Sequence, residues 1–114
     1  SLLIKAKYYN TSAIYSGDIS SLAEKGFISG GIDVKADIMK VSHHGSAGSS
    51  CEEWISAVDP DYAVISCGED NPYGHPSDKA LERLEGIPII RTDINGTITF
   101  TADKDGMIGV RVLK

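Results

Sequence analysis

"ADIMKVSHHGSAGSSCEEWISAVDPDYAVISC", residues 36–67, reads as strand, loop, helix, strand, and that order sets the fold class. "ADIMKVS" (36–42) is an apolar run that ends on a polar, glycine-containing loop. "SCEEWISAVD" (50–59) has helical spacing, with Trp54, Ile55 and Val58 on one apolar face. Ser50 with Glu53 matches a capping box, and Pro60 ends the helix. "YAVISC" (62–67) is nearly all apolar, which predicts a strand buried on both faces.

The same alternation extends in both directions. Upstream, "SSLAEKGFIS" (20–29) predicts a helix capped by Ser20 or Ser21 and closed by Gly30-Gly31; Ser21 with Glu24 matches a second capping box. Before it, "LLIKAKYY" (2–9) and "SAIYSGD" (12–18) predict two strands paired as a hairpin. Downstream, "GEDNPYGHPS" (68–77) is a polar loop in which Asp70 and Asn71 read as solvated turn formers. "SDKALERLEG" (77–86) is a helix with Ser77 as N-cap, Leu81 and Leu84 inward and Gly86 as its stop. "PIIRT" (88–92), "TITFTA" (97–102) and "IGVRVL" (108–113) are strands. Asn95-Gly96 and Lys104-Asp105-Gly106 read as hairpin turns leading into the last two. The expected architecture is a single α/β domain over 1–114, a mixed sheet with three helices and hairpins at both ends.

Composition narrows the function. The chain has 114 residues, ordinary hydrophobic and charged fractions, and a net charge of −5. That balance argues against binding nucleic acid by phosphate neutralisation, though an enzyme can meet phosphate charge with metal ions. Cys51 and Cys67 belong to no CxxC pair, which excludes a zinc ribbon and leaves a disulfide between them open. No apolar run approaches the roughly 20 residues of a membrane span, and no signal-peptide pattern opens the sequence.

In α/β sheets, ligands bind beyond the carboxyl ends of the strands. Three polar clusters fall there, and they hold all three histidines of the chain. Asp18 follows the second strand; its two oxygens could bridge a pair of metal ions, or it could cap the next helix. His43 and His44 follow the third strand. Neutral imidazole ligates zinc or manganese. Neighbours in an extended stretch point opposite ways, so one histidine would be the ligand and the other a substrate contact; a solvated turn is the plainer alternative. Ser46, Ser49 and Ser50 precede a helix whose N-terminus favours anions. His75, between Gly74 and Pro76, could hold a phosphate, move a proton or merely close its loop.

Taken in order, "AIYSGD", "ADIMKVSHHGSAGSS", "DYAVISCGEDNPYGHPSDKALERL" and "RTDINGTITF" resemble the metallo-β-lactamase superfamily, and within it the C-terminal half of the ComEC-type branch of competence DNA-uptake channels and related hydrolases. The resemblance covers about residues 2–102. It implies half of an αββα sandwich with two divalent metal ions, zinc or manganese, at the sheet edges. It further implies that Asp18 bridges the ions, that His44 ligates one of them, that His43 lies beside it, and that His75 faces a substrate phosphate. The implied activity is hydrolysis of phosphodiester bonds, in DNA during uptake. It would take place at the extracellular face of a bacterial membrane protein or in a secreted one, with no membrane contact by this segment.

The sequence departs from the pattern in lacking the family's His-x-His-x-Asp-His stretch. The expectation is therefore a half-domain that binds metal weakly or not at all and hydrolyses nothing useful alone. Its partner would be the missing N-terminal half or a second copy in a homodimer. A non-catalytic α/β binding module, and a free-standing hydrolase of another phosphoester or a lactam, are the alternative readings.

Overall fold

The computed structural model describes residues 3–113; Leu2, at the head of the expected first strand, lies outside them. A hairpin of β1 (Ile4–Tyr8) and β2 (Thr11–Tyr15) opens the chain. Then follow α1 (Ser21–Ser29), β3 (Ile38–Lys40), α2 (Glu52–Val58), β4 (Tyr62–Ile65), α3 (Asp78–Arg83), β5 (Ile89–Arg91) and a single turn, α4 (Thr92–Asn95). β6 (Thr97–Ala102) and β7 (Ile108–Leu113) end the described chain as a separate hairpin. The α/β class is as expected, with a fourth, one-turn helix added. β5 and β6 lie in different sheets, so Asn95-Gly96 is not a hairpin turn. Asn95 Oδ1 instead accepts the Arg91 N–H at 3.0 Å, and Gly96, at φ +74°, turns the chain out of the helix.

The main sheet has the order β1-β2-β3-β4-β5, antiparallel at the first pair and parallel thereafter. Each parallel strand lies next to its predecessor, so right-handed crossovers put α1, α2 and α3 on one face. There Ile14, Met39, Ala63 and Ile65 meet Trp54, Val58 and Leu84 in one core, all of them 1% exposed or less. The expectation that β4 is sealed on both faces is corrected. Its residues alternate, with Ala63 and Ile65 buried and Tyr62 and Val64 only half-buried. The β6–β7 hairpin covers the second face in part, through an edge-to-face contact of Tyr62 with Phe100 at 5.5 Å.

α1 begins at Ser20, whose hydroxyl accepts the Ala23 N–H at 3.3 Å. The expected Ser21–Glu24 capping box does not form, because Glu24 turns inward and is fully buried. Its carboxylate accepts the Ser50 N–H at 2.8 Å, the Cys51 N–H at 2.9 Å and the Ser42 hydroxyl at 3.3 Å. Since Ser42 donates to Glu24, the buried Ser16 hydroxyl beside it must donate to Ser42. The Ser50–Glu53 capping box is likewise absent. Cys51 is the N-cap of α2, its side chain makes no cap bond, and the buried Ser50 hydroxyl has no partner among the described residues.

A buried carboxylate that loses its side chain leaves its donors unpaired, at about 1–3 kcal/mol each. Glu24→Ala should therefore lower stability by about 3 kcal/mol or more, whereas the exposed Glu53→Ala should leave it close to that of the parent. Urea unfolding of the two variants against the parent checks the contrast.

Candidate functional site

The parallel strands β2 to β5 all end at one edge, and the loops leaving them carry the polar residues singled out by the sequence. Gly17-Asp18 follows β2, Ser42–Gly45 follows β3, the 66–77 loop follows β4, and Asp93 follows β5.

Ser42–Gly45 is a tight turn, not an extended stretch. His43 (φ 52°, ψ 43°) and His44 (φ 53°, ψ 24°) both adopt left-handed backbone, which corrects the assumption that they alternate about a strand. The His43 N–H donates to the Gly17 carbonyl at 2.8 Å and ties this turn to the loop of Asp18. His44 Nδ1 lies 2.6 Å from the Ser66 carbonyl. A carbonyl only accepts, so Nδ1 carries the proton, and in the neutral imidazole the lone pair is on Nε2. A metal-ligating imidazole is oriented in this way. Gly45 (φ +86°) lets the turn sit against the 66–77 loop; a Cβ there would lie 2.6 Å from Pro76 Cβ. The Ser77 N–H donates to the Gly45 carbonyl at 2.9 Å across the same contact.

The 46–50 stretch is fixed from both sides. Arg83 donates to the carbonyls of Ala47 at 2.9 Å and Ser49 at 3.0 Å, and the Ser49 hydroxyl donates to the Ile19 carbonyl at 2.6 Å. The anion expected at the start of α2 is displaced. The N–H groups of Ser50 and Cys51 are already taken by the chain's own Glu24.

Asn71 is a clamp rather than a solvated turn former. Its amide accepts the His75 N–H at 3.0 Å and donates to the carbonyls of His75 at 2.6 Å and Gly68 at 3.1 Å. The His75 ring lies edge-on to His43 at 5.6 Å and nearly parallel to Tyr73 at 5.9 Å. His44, Cys67, Asn71, Tyr73 and His75 line one cavity of about 250 Å³.

Asp18 is exposed at the same edge, beside the Gly17 carbonyl that holds His43. No hydrogen bond joins it to His44, and it does not line the cavity that His44 and His75 share. The structure thus sets His43 against His75 and His44 in one cavity with His75, while Asp18 is linked to them only through the backbone bond of its neighbour Gly17 to His43. Among the described residues, no three His, Cys, Asp or Glu side chains lie close enough to enclose an ion.

Sequence reasoning missed Lys40. Burial lowers its ammonium below the ordinary lysine range, while the charges of Asp18 and Cys67 pull it back up. Those two neighbours place a cation at the end of β3, beneath the site. The signal was available, since Lys40 interrupts the apolar run "DIMKV". At the end of β5, Arg91 makes a bidentate pair with Asp93, at 2.9 and 2.6 Å. That bond holds the Asp93 carboxyl below its usual range, against its own burial. Burial, aided by Asp93, raises the Cys67 thiol. Cys67 and Cys51 are both free thiols, so the disulfide left open by the sequence does not form.

No family model matches the chain. Over 102 residues it is 40% identical to ComE operon protein 3 of Bacillus subtilis (strain 168), covering 88% of this chain and 13% of that protein. Over 102 residues it is 31% identical to competence protein ComA of Neisseria gonorrhoeae, covering 87% of this chain and 15% of that protein. Over 107 residues it is 33% identical to the uncharacterized protein YcaI of Escherichia coli (strain K12), covering 90% of this chain and 14% of that protein. The chain is therefore similar to short segments of larger proteins, competence-related ones among them, and it spans 13% to 15% of the length of these relatives. No helix among the described residues is long and apolar enough to cross a membrane.

Two outcomes follow from the geometry. Gly45→Ala should push Pro76 away and strain a left-handed backbone, costing about 2 kcal/mol or more and loosening both histidine loops. Thermal unfolding together with hydrogen exchange over 42–46 and 71–77 checks it. The second outcome concerns acid. Asp93 titrates lower in the fold than in the unfolded chain, so its contribution is complete above the unfolded carboxylate pKa of about 3.9. It is lost as pH falls through the lower, folded value. Arg91→Gln should remove that part of the acid dependence, which is read as a flatter loss of stability below about pH 4.

Proposed function

We propose that this chain forms one side of a metal-dependent hydrolase that cleaves phosphodiester bonds in DNA during competence uptake, at the outer face of the cell. The observation that carries the reading is the His44 bond to the Ser66 carbonyl. It leaves Nε2 as a lone-pair donor at a cavity shared with His75 and on the same edge as Asp18. The similarity to competence-related proteins supports the DNA-uptake setting.

In this reading Asp18 and His44 would hold zinc or manganese, with the remaining ligands supplied by a part of the protein outside this chain. The ions, when bound, would supply a water ionised near neutral pH and charge to offset the phosphate. The protein's own groups do the rest. Asn71 fixes the His75 backbone, and the His75 ring braces against His43, so that an imidazole N–H is available to a phosphate oxygen or the leaving group. Lys40 adds a positive charge below Asp18. The second face of the sheet, only partly covered by β6 and β7, would suit a further packed layer.

The test uses the full reading frame purified with manganese or zinc and a labelled oligonucleotide. Asp18→Ala and His44→Ala should each reduce cleavage by roughly a hundredfold or more, since each removes a direct ligand. Cleavage that is metal-independent, or unchanged in both variants, would overturn the reading.

A further inference from the structure

We propose that Tyr73, stacked on His75, is a platform for the nucleobase next to the phosphate held at the site. The inference rests on the reading of DNA as the substrate and identifies how that substrate is gripped.

Tyr73 is 78% exposed, a large solvent cost for an aromatic ring on a polar loop. Yet the ring is placed. Its plane lies 26° from that of His75 at a centroid separation of 5.9 Å, and His75 in turn abuts His43. Gly74, at φ +69°, folds the chain back so that these two rings face each other. Asn71 pins the loop beneath them through three hydrogen bonds. The result is a ladder of three rings that runs from His43 outward, with one face of Tyr73 left to solvent.

Charge gives the ladder a purpose. The chain carries a net −5. Arg91 is held by Asp93, Lys5 by Asp33, and Arg83 by the carbonyls of Ala47 and Ser49. At the site edge, the charge of Lys40 is opposed by that of Asp18. A polyanion cannot be gripped here by neutralising many phosphates. Base stacking on an aromatic face needs no net charge and accepts any base. That chemistry selects a single strand, because bases in a duplex already stack on each other.

The experiment places a reporter in the ladder of the full-length protein. In Tyr73→Trp, the introduced indole should be quenched by a short thymidine oligonucleotide and not by an abasic strand of the same length; the buried Trp54 supplies a constant background. Affinity for the base-bearing strand should fall roughly tenfold in Tyr73→Ala and be kept in Tyr73→Phe. It should weaken only slightly between about 50 and 200 mM salt. Equal quenching by the abasic strand, or none by either, would overturn the platform. Cleavage followed on the same samples separates the two ideas. Quenching without metal-dependent cleavage keeps the platform and removes the hydrolase. Cleavage indifferent to Tyr73 and to the base keeps the hydrolase and removes the platform.

Discussion

The buried carboxylate of Glu24 holds the site together. It joins α1 to the entry of α2 through two backbone N–H groups and to the histidine turn through Ser42. The relay continues to Ser16, which lies two residues before Asp18. Asp18 and His43 therefore depend on one fully buried anion for their relative placement. Such a group is costly to bury unless its lone pairs are filled, and here three donors converge on it. In the same serine- and glycine-rich loop, the Ser49 hydroxyl and the carbonyls of Ala47 and Ser49 also bond to partners inside the fold.

The parallel sheet supplies the second constraint. Four strands that end at one edge must release their loops side by side. What converts proximity into a site is close backbone approach. Gly45 abuts Pro76, the Gly45 carbonyl accepts from Ser77, and the Ser66 carbonyl orients His44. Each contact joins a residue after β3 to one after β4. The imidazoles are thus aimed by main-chain atoms, which cannot rotate away as side chains do.

The fold was largely legible because strand and helix periods are local. The strand–helix–strand order, the Ser77 cap and the buried faces of α2 and α3 emerge from spacing alone. What escaped depends on long-range partners. Ser21–Glu24 and Ser50–Glu53 fit the capping-box pattern, yet Glu24 serves another helix 26 residues away from its Ser50 donor. Asn95-Gly96 has hairpin chemistry, but a hairpin needs its two strands in one sheet, and only tertiary packing decides that. At the site, the residue types and their edge were readable. The left-handed turn of His43 and His44 was not, because it is held by Gly17 and Ser66, both distant in the chain; the Asn71 clamp is local and the Lys40 break in an apolar run was visible, but both were read as ordinary polar positions.

The donor count bears on how such a site would work. A catalytic zinc takes about three protein ligands and keeps one position open. Asp18 and His44 are too few for even one ion of that kind, and Lys40 nearby opposes the binding of a cation. Further carboxylate or imidazole donors would have to outweigh that repulsion before an ion stayed. Once they did, the same lysine would favour the anionic substrate that the ion attracts. A site split between two parts of a protein would then be empty while the parts are apart and become competent only when they meet. On that view Lys40 would disfavour a metal ion until further donors joined Asp18 and His44, and would favour a phosphate afterwards.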